Sequence, residues 1–164
     1  MSTNPYAPPS TEVADRASGQ LEYAGFWIRL GAAFIDALLI IAVTFPFLYA
    51  IYGAAYFDYD KMGFVAGPAD FLLSYVAPAI ASVLFWLGKQ ATPGKLALSL
   101  RVVDAQTGAT LSVGKCIGRY LAYYVAALPL CLGFIWVGID ARKQGWHDKL
   151  AGTAVVRARR TAIN

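Results

Sequence analysis

The chain has 164 residues, 58% of them hydrophobic, 14% aromatic and only 15% charged, where a soluble domain carries about a quarter charged residues. That length suggests one domain, and its apolar residues fall in runs too long for the core of a small soluble one, which excludes a soluble enzyme. The net charge of +4 does not point to nucleic acid either, because no recognition motif accompanies it.

In chain order, residues 1–25 read as a flexible tail: Pro5, Pro8 and Pro9 fix φ and remove backbone donors. A cleaved signal peptide is not expected, since the first apolar run starts only at Phe26 and lacks a basic lead-in. Residues 26–52 form the first span, about 40 Å of helix against a hydrocarbon core of about 30 Å. Pro46 is expected to bend it, and Tyr49, Tyr52 and Tyr56 suit an interfacial belt at its far end. A polar loop with Asp58, Asp60 and Lys61 leads to a second span over residues 69–87. There Asp70 sits in the first turn, where a helix favours negative charge. Pro78 leaves the Ser74 carbonyl without its usual partner, so this spot should face protein.

Next, Thr92-Pro93-Gly94 reads as a turn. The alternation of Leu96, Leu98, Leu100 and Val102 then reads as a strand. Residues 104–108 read as a hairpin loop, with 109–112 as the returning strand. A third apolar segment covers residues 117–139, interrupted by Pro129 and Gly133, with Arg119 in its first turn. Beyond it lies a basic tail in which 153–156 form a short strand, ending in basic residues 159–164. The two cysteines, Cys116 and Cys131, lack CxxC spacing and read as small packing residues, neither a metal site nor a redox pair.

Charge sets the topology. Residues 1–25 and 53–70 each sum to −2, whereas 88–119 and 140–164 each sum to +4. Loop 53–68 should therefore face outside, and the 88–119 region and the N-terminus the cytoplasm. The basic tail also belongs inside. Either the third segment crosses once and breaks the charge rule, or it bends at Pro129–Gly133 and returns as two short halves. The second arrangement is preferred, because both basic regions then share one side. The expected fold is thus an all-α membrane protein. It is a small helical bundle of two full transmembrane helices plus a third apolar segment (single span or bent and re-entrant), with a short cytoplasmic β-hairpin between spans two and three.

The candidate chemistry is intramembrane. A charge at that depth costs roughly 2.5–3.5 kcal/mol on insertion scales, so it marks function by default. Arg29 either snorkels to the headgroups or reaches inward. Asp36 lies about 16 Å into the run and is too deep to snorkel. The two share a face about 10 Å apart along the axis, too far for an easy pair. The small residues Gly25, Ala32 and Ala33 near them and the stripe Asp70, Ser74, Ala77, Ala81 on the second span are expected to meet. Asp36 would then be buried near Ser74 and Pro78. In the tail, Asp140, His147 and Asp148 stand together in sequence, and His147 beside Trp146 reads as an interfacial residue. The run Gly88–Lys95 fails as a phosphate loop, with Leu96 where Ser or Thr is required. No Ser, Cys or His has a catalytic partner at readable spacing, so no enzyme is expected, and no metal or cofactor.

Residues 24–36, Ala-Gly-Phe-Trp-Ile-Arg-Leu-Gly-Ala-Ala-Phe-Ile-Asp, resemble the opening helix of the RDD family of membrane proteins. Thr92-Pro93-Gly94-Lys95 with Leu100-Arg101-Val102-Val103 is similar to that family too, as is the run from Gly145 to Val156, with Arg119 in its expected place. The resemblance covers about residues 23–158, taken as one membrane domain over 26–158. It implies that Arg29 and Asp36 are the family's arginine and first aspartate, and Asp148 the second, with Asp140 as the fallback. It implies a bacterial or archaeal protein, here one of the cytoplasmic membrane crossing it more than once. The family's role is mostly unassigned, with transport proposed and some members associated with sodium–proton antiport. Two functions follow: a scaffold or accessory protein with a structural Arg/Asp network, or a small transporter or subunit with Asp36 binding a small cation or proton. The expected partners are the lipid bilayer and a second copy or another membrane protein. Asp148 is expected at the cytoplasmic surface, anchoring Arg119 or the hairpin.

Overall fold

A computed structural model describes residues 21–58 and 63–158. Most of the Pro-containing tail, Asp60, Lys61 and the basic residues 159–164 lie outside the described residues. Strand β1 (Leu21–Tyr23) runs into α1 (Phe26–Tyr52), whose bounds are those of the first apolar run. Pro46 lies within this helix, which continues unbroken to Gly53. Gly53 takes φ of 62°, a conformation a side chain resists, and ends it there.

The second long helix, α2 (Pro68–Lys89), opens with proline in its first turn, where the missing N–H costs nothing. Its Leu72–Val76 portion is a π-helical turn directly before Pro78. A wide turn there re-routes the carbonyls that the proline strands. Both helices are long and apolar enough to cross a membrane. Only 6% of the most apolar stretch of each is buried within the protein, so most of their side chains face outward rather than into a core.

The predicted hairpin is corrected. Residues 93–97 form a short helix, α3 (Pro93–Ala97), with Thr92 at its N-cap and Pro93 in its first turn. Leu96 thus belongs to a helix, and the apparent alternation spans two elements. Strand β2 is Leu100–Asp104. The turn after it forms, with Asp104 accepting from the backbone N–H groups of Gln106 and Thr107. The returning strand does not. Residues 109–112 lead instead to α4 (Val113–Ala127), whose first turn Ser112 caps by accepting from the Lys115 N–H. The outer side of β2 already gives the Val102 N–H to the Gln90 carbonyl at 2.6 Å. The partner of β2 is β3 (Thr153–Ala158), which lies between β1 and β2 in a three-stranded antiparallel sheet. The fold is therefore mostly helical rather than all-α.

The third apolar segment is bent. Helix α4 gives way to α5 (Leu132–Ile139) across four residues at an angle of 99°. Pro129 lies in the break, and Leu130 and Cys131 take φ of 51° and 61°, conformations costing about 1–2 kcal/mol for a residue with Cβ. Gly133, expected as part of the interruption, has a different role. A Cβ there would lie 2.7 Å from Ala126, so the glycine lets α5 fold back against α4. Last comes α6 (Trp146–Ala151), a short helix ended by Gly152 at φ of 62°.

The core sits at the sheet end. Leu100, Val102 and Val155 from the strands pack with Ala24, Ala32, Trp86 and Cys116 from the helices. Hydrogen bonding thus holds together the lead-in to α1, the α2–α4 connection and the C-terminal strand at one end of the molecule. At the other end Asp70 is buried and accepts from Tyr56 (3.1 Å), Ser74 (2.7 Å) and the Ala66 N–H (2.9 Å). This ties the far end of α1's polypeptide to α2 through Tyr56, while Tyr49 stays exposed.

Candidate functional site

Asp148 is the centre of the site. It sits in α6 with no exposed surface. Its Oδ2 accepts from Arg29 Nη1 at 2.5 Å and from the Gly145 N–H at 3.0 Å. Its Oδ1 pairs with Arg119, which also donates to Thr153 Oγ1. Burial alone would raise the Asp148 carboxyl. The charges of Arg119 and Arg29 and the Gly145 N–H outweigh it and hold the group well below the usual carboxylate range. Asp148 pairs with Arg119, as expected of an anchor, but it does so as an enclosed carboxylate that a second arginine, Arg29, shares.

Arg29 reaches inward and does not snorkel. Its remaining N–H groups donate to the carbonyls of Lys143 (2.5 Å) and Ala24 (2.9 Å). Arg119 is 1% exposed and lies over the rings of Trp86 and Tyr123, 5.4 and 5.7 Å from their centroids, a stacking that suits a poorly hydrated guanidinium. Asp140 is apart from this cluster. It pairs with Lys149, caps the following turn and stays partly exposed.

Asp36 is not where the small-residue stripes were expected to place it. Ser74 donates to Asp70 instead. The partners of Asp36 are Thr92, whose hydroxyl donates at 2.5 Å, and the N–H of Gly94 at 2.6 Å. The residue at 94 must be glycine, since a Cβ would lie 2.1 Å from the Ala32 carbonyl oxygen. That close approach seats α3 on α1 and brings both donors to the carboxylate. The stripes themselves do not pack. Ala33 on α1 and Ala77 and Ala81 on α2 line one cavity of about 860 Å³ from two sides, because α3 and the Asp70 cluster hold the two helices together only at their ends.

Four residues named in the sequence were not assigned to this site: Thr92, Gly94, Lys95 and His147. Thr92, Gly94 and Lys95 sat in a stretch read as a turn and strand; the Thr-Pro pair, a helix-start signal, could have found them. Lys95 is buried, and its ammonium has one hydrogen bond, to Thr92 Oγ1 at 3.3 Å. Among the described residues it has no carboxylate within ion-pair reach. His147 is also buried, not interfacial, packed on Tyr123 and Phe134 at ring distances of 4.5 and 5.0 Å. Burial, followed by the charges of Arg119, Arg29 and Lys95, pushes its imidazole down to about 3, against the pull of Asp148. Its Nδ1 has no hydrogen-bond partner. Cys116 is buried and Cys131 exposed, both as free thiols.

The sequence resembles several bacterial proteins. It is 33% identical over 156 residues to the uncharacterized protein YxaI of Bacillus subtilis (strain 168), covering 81% of this chain and 96% of that one. It is 27% identical over 143 residues to the uncharacterized membrane protein YteJ of the same organism, covering 82% and 80%. A shorter stretch of 60 residues is 32% identical to the proline-rich antigen of Mycobacterium leprae (strain TN), covering 37% of this chain and 24% of that one. No solved structure matches it significantly. The sequence profile of the RDD family matches residues 23–152, a stretch holding Arg29, Asp36, Arg119 and Asp148, and with its two membrane-length helices the chain is a membrane protein belonging to the RDD family.

Proposed function

We propose that this protein is a non-enzymatic scaffold or accessory protein of the bacterial cytoplasmic membrane, and that its Arg/Asp network is structural. The observation that carries this reading is the saturation of both carboxylates. Asp148 is shared by two arginines and the Gly145 N–H, and both oxygens of Asp36 accept from Thr92 and Gly94. A carboxylate that exchanges cations must release its partners and meet water in turn; these are held by groups fixed in the fold. The sheet supports a topology. Strands hydrogen-bonded to one another lie on one side of a bilayer, so β1, β2 and β3 share a side, and the basic residues around them make it the cytoplasmic one. The bent third segment is then re-entrant: it enters from that side and returns to it.

The transporter reading rests on a single observation, that Asp36 lines the cavity. Sodium and proton flux into proteoliposomes, wild type beside Asp36→Asn, decides between the two. The scaffold reading expects no flux from either; flux in the wild type that Asp36→Asn abolishes replaces it with cation exchange.

A further inference from the structure

The cavity between α1, α2 and α5 has two unlike ends. Most of its wall is apolar, from residues such as Ile40, Phe47, Leu73, Phe85 and Phe134. Near the sheet the lining turns polar, with Arg29, Asp36, Thr92, Lys95, Arg119 and His147. Counting Asp148, which both arginines touch, the described residues at this end set three basic side chains against two carboxylates. The imidazole adds no charge at neutral pH. One positive charge is thus uncompensated in a part of the protein shielded from water, where it is costly unless an anion joins it. The ammonium in question is Lys95, whose single partner is a hydroxyl. The volume of about 860 Å³ falls within the ~300–1,000 Å³ typical of ligand sites.

We propose that this cavity binds one anionic phospholipid of the cytoplasmic leaflet, its phosphate against Lys95 and its hydrocarbon along the apolar wall between α1 and α2. A headgroup phosphate supplies the missing charge and several acceptor oxygens for the ammonium. The arrangement rests on the topology under which the sheet end lies at the cytoplasmic headgroups, where basic pockets between helices meet anionic lipid. It does not depend on whether the protein moves ions.

The test is lipid retention. The full-length protein is purified in detergent, delipidated, and offered phosphatidylglycerol or phosphatidylcholine, and bound lipid is counted by native mass spectrometry. One phosphatidylglycerol per chain should survive, and phosphatidylcholine should not. Lys95→Gln should weaken retention about tenfold or more, whereas Lys149→Gln, at an exposed lysine, should leave it unchanged. Ala81→Phe, which fills the apolar wall and keeps every charge, should also displace the lipid. Equal retention of both lipids, or full retention by Lys95→Gln, overturns the proposal. Displacement of phosphatidylglycerol by inorganic phosphate alone also overturns it, in favour of a soluble phosphate ligand. Loss of retention leaves the proteoliposome result untouched, so the two readings fail separately; impermeant labelling of Thr107→Cys from outside intact cells identifies a failure of topology.

Discussion

Replacing Asp148 with asparagine keeps the side-chain shape and removes the charge that two buried arginines share. Arg119 is 1% exposed and Asp148 fully enclosed, so water cannot take over the lost role. Removing one partner of such a pair costs about 3–5 kcal/mol, most of it the penalty of leaving charge buried and uncompensated. At roughly 2–4 °C per kcal/mol for a chain of this size, the midpoint of thermal unfolding should fall by about 10 °C. The assay is thermal unfolding in detergent followed by intrinsic fluorescence. The reference is Asp140→Asn, which breaks a pair whose lysine side chain is 44% exposed and should cost about 0–1 kcal/mol. Arg119→Leu should be less harmful in the Asp148→Asn background than alone, because the two residues act as one unit. An Asp148→Asn protein no less stable than Asp140→Asn would refute the view that this carboxylate holds the domain together.

Gly94→Ala should abolish folded protein, since its Cβ would sit 2.1 Å from the Ala32 carbonyl oxygen, while Gly88→Ala, with open space around it, should express normally; yield of monodisperse protein is the readout. Asp36→Asn should remain folded but lose about 1.5–3 kcal/mol, because an amide offers one acceptor oxygen where two charged ones were used. His147 stays neutral down to about pH 3 in the folded state, whereas unfolded chains protonate below about pH 6.5. Stability should therefore fall as pH drops from about 6.5 toward 3, by up to about 1.4 kcal/mol per pH unit, and His147→Phe should flatten that part of the curve. In a background with Cys116→Ala and Cys131→Ser, an impermeant thiol reagent should label Ala54→Cys in intact cells and leave Thr107→Cys and Ala141→Cys untouched.

The spans were legible because hydrophobic length is a local property: Phe26 and Tyr52 bound the first helix in sequence and structure alike. The bend of the third segment was legible as one of two arrangements, through Pro129 and the charge of the tail. The sheet was not. β3 lies between strands that precede it by about 50 and 130 residues, and periodicity says nothing about which strands pair. The error at Leu96 was a confusion of periods, since a single helical turn followed by a strand imitates alternation over so few residues. Arg29, Asp36 and Asp148 could be chosen by their cost in a membrane and by motif. Thr92 and Gly94 are marked as a helix start by the Thr-Pro pair, but which groups they and the Lys143 carbonyl meet is set only by the tertiary fold.

The order in which the chain leaves the ribosome gives the central position of β3 a further meaning. Arg29 is inserted 119 residues before the aspartate that neutralises it, and β1 waits longer still for a strand to lie against. Until Asp148 and β3 emerge, the bilayer must tolerate a hairpin of helices carrying an unanswered guanidinium, a half-made species that proteases of the membrane can recognise. Strand β3 and Asp148 act together as a latch, so a chain cut short before Gly145 should be cleared rather than accumulate.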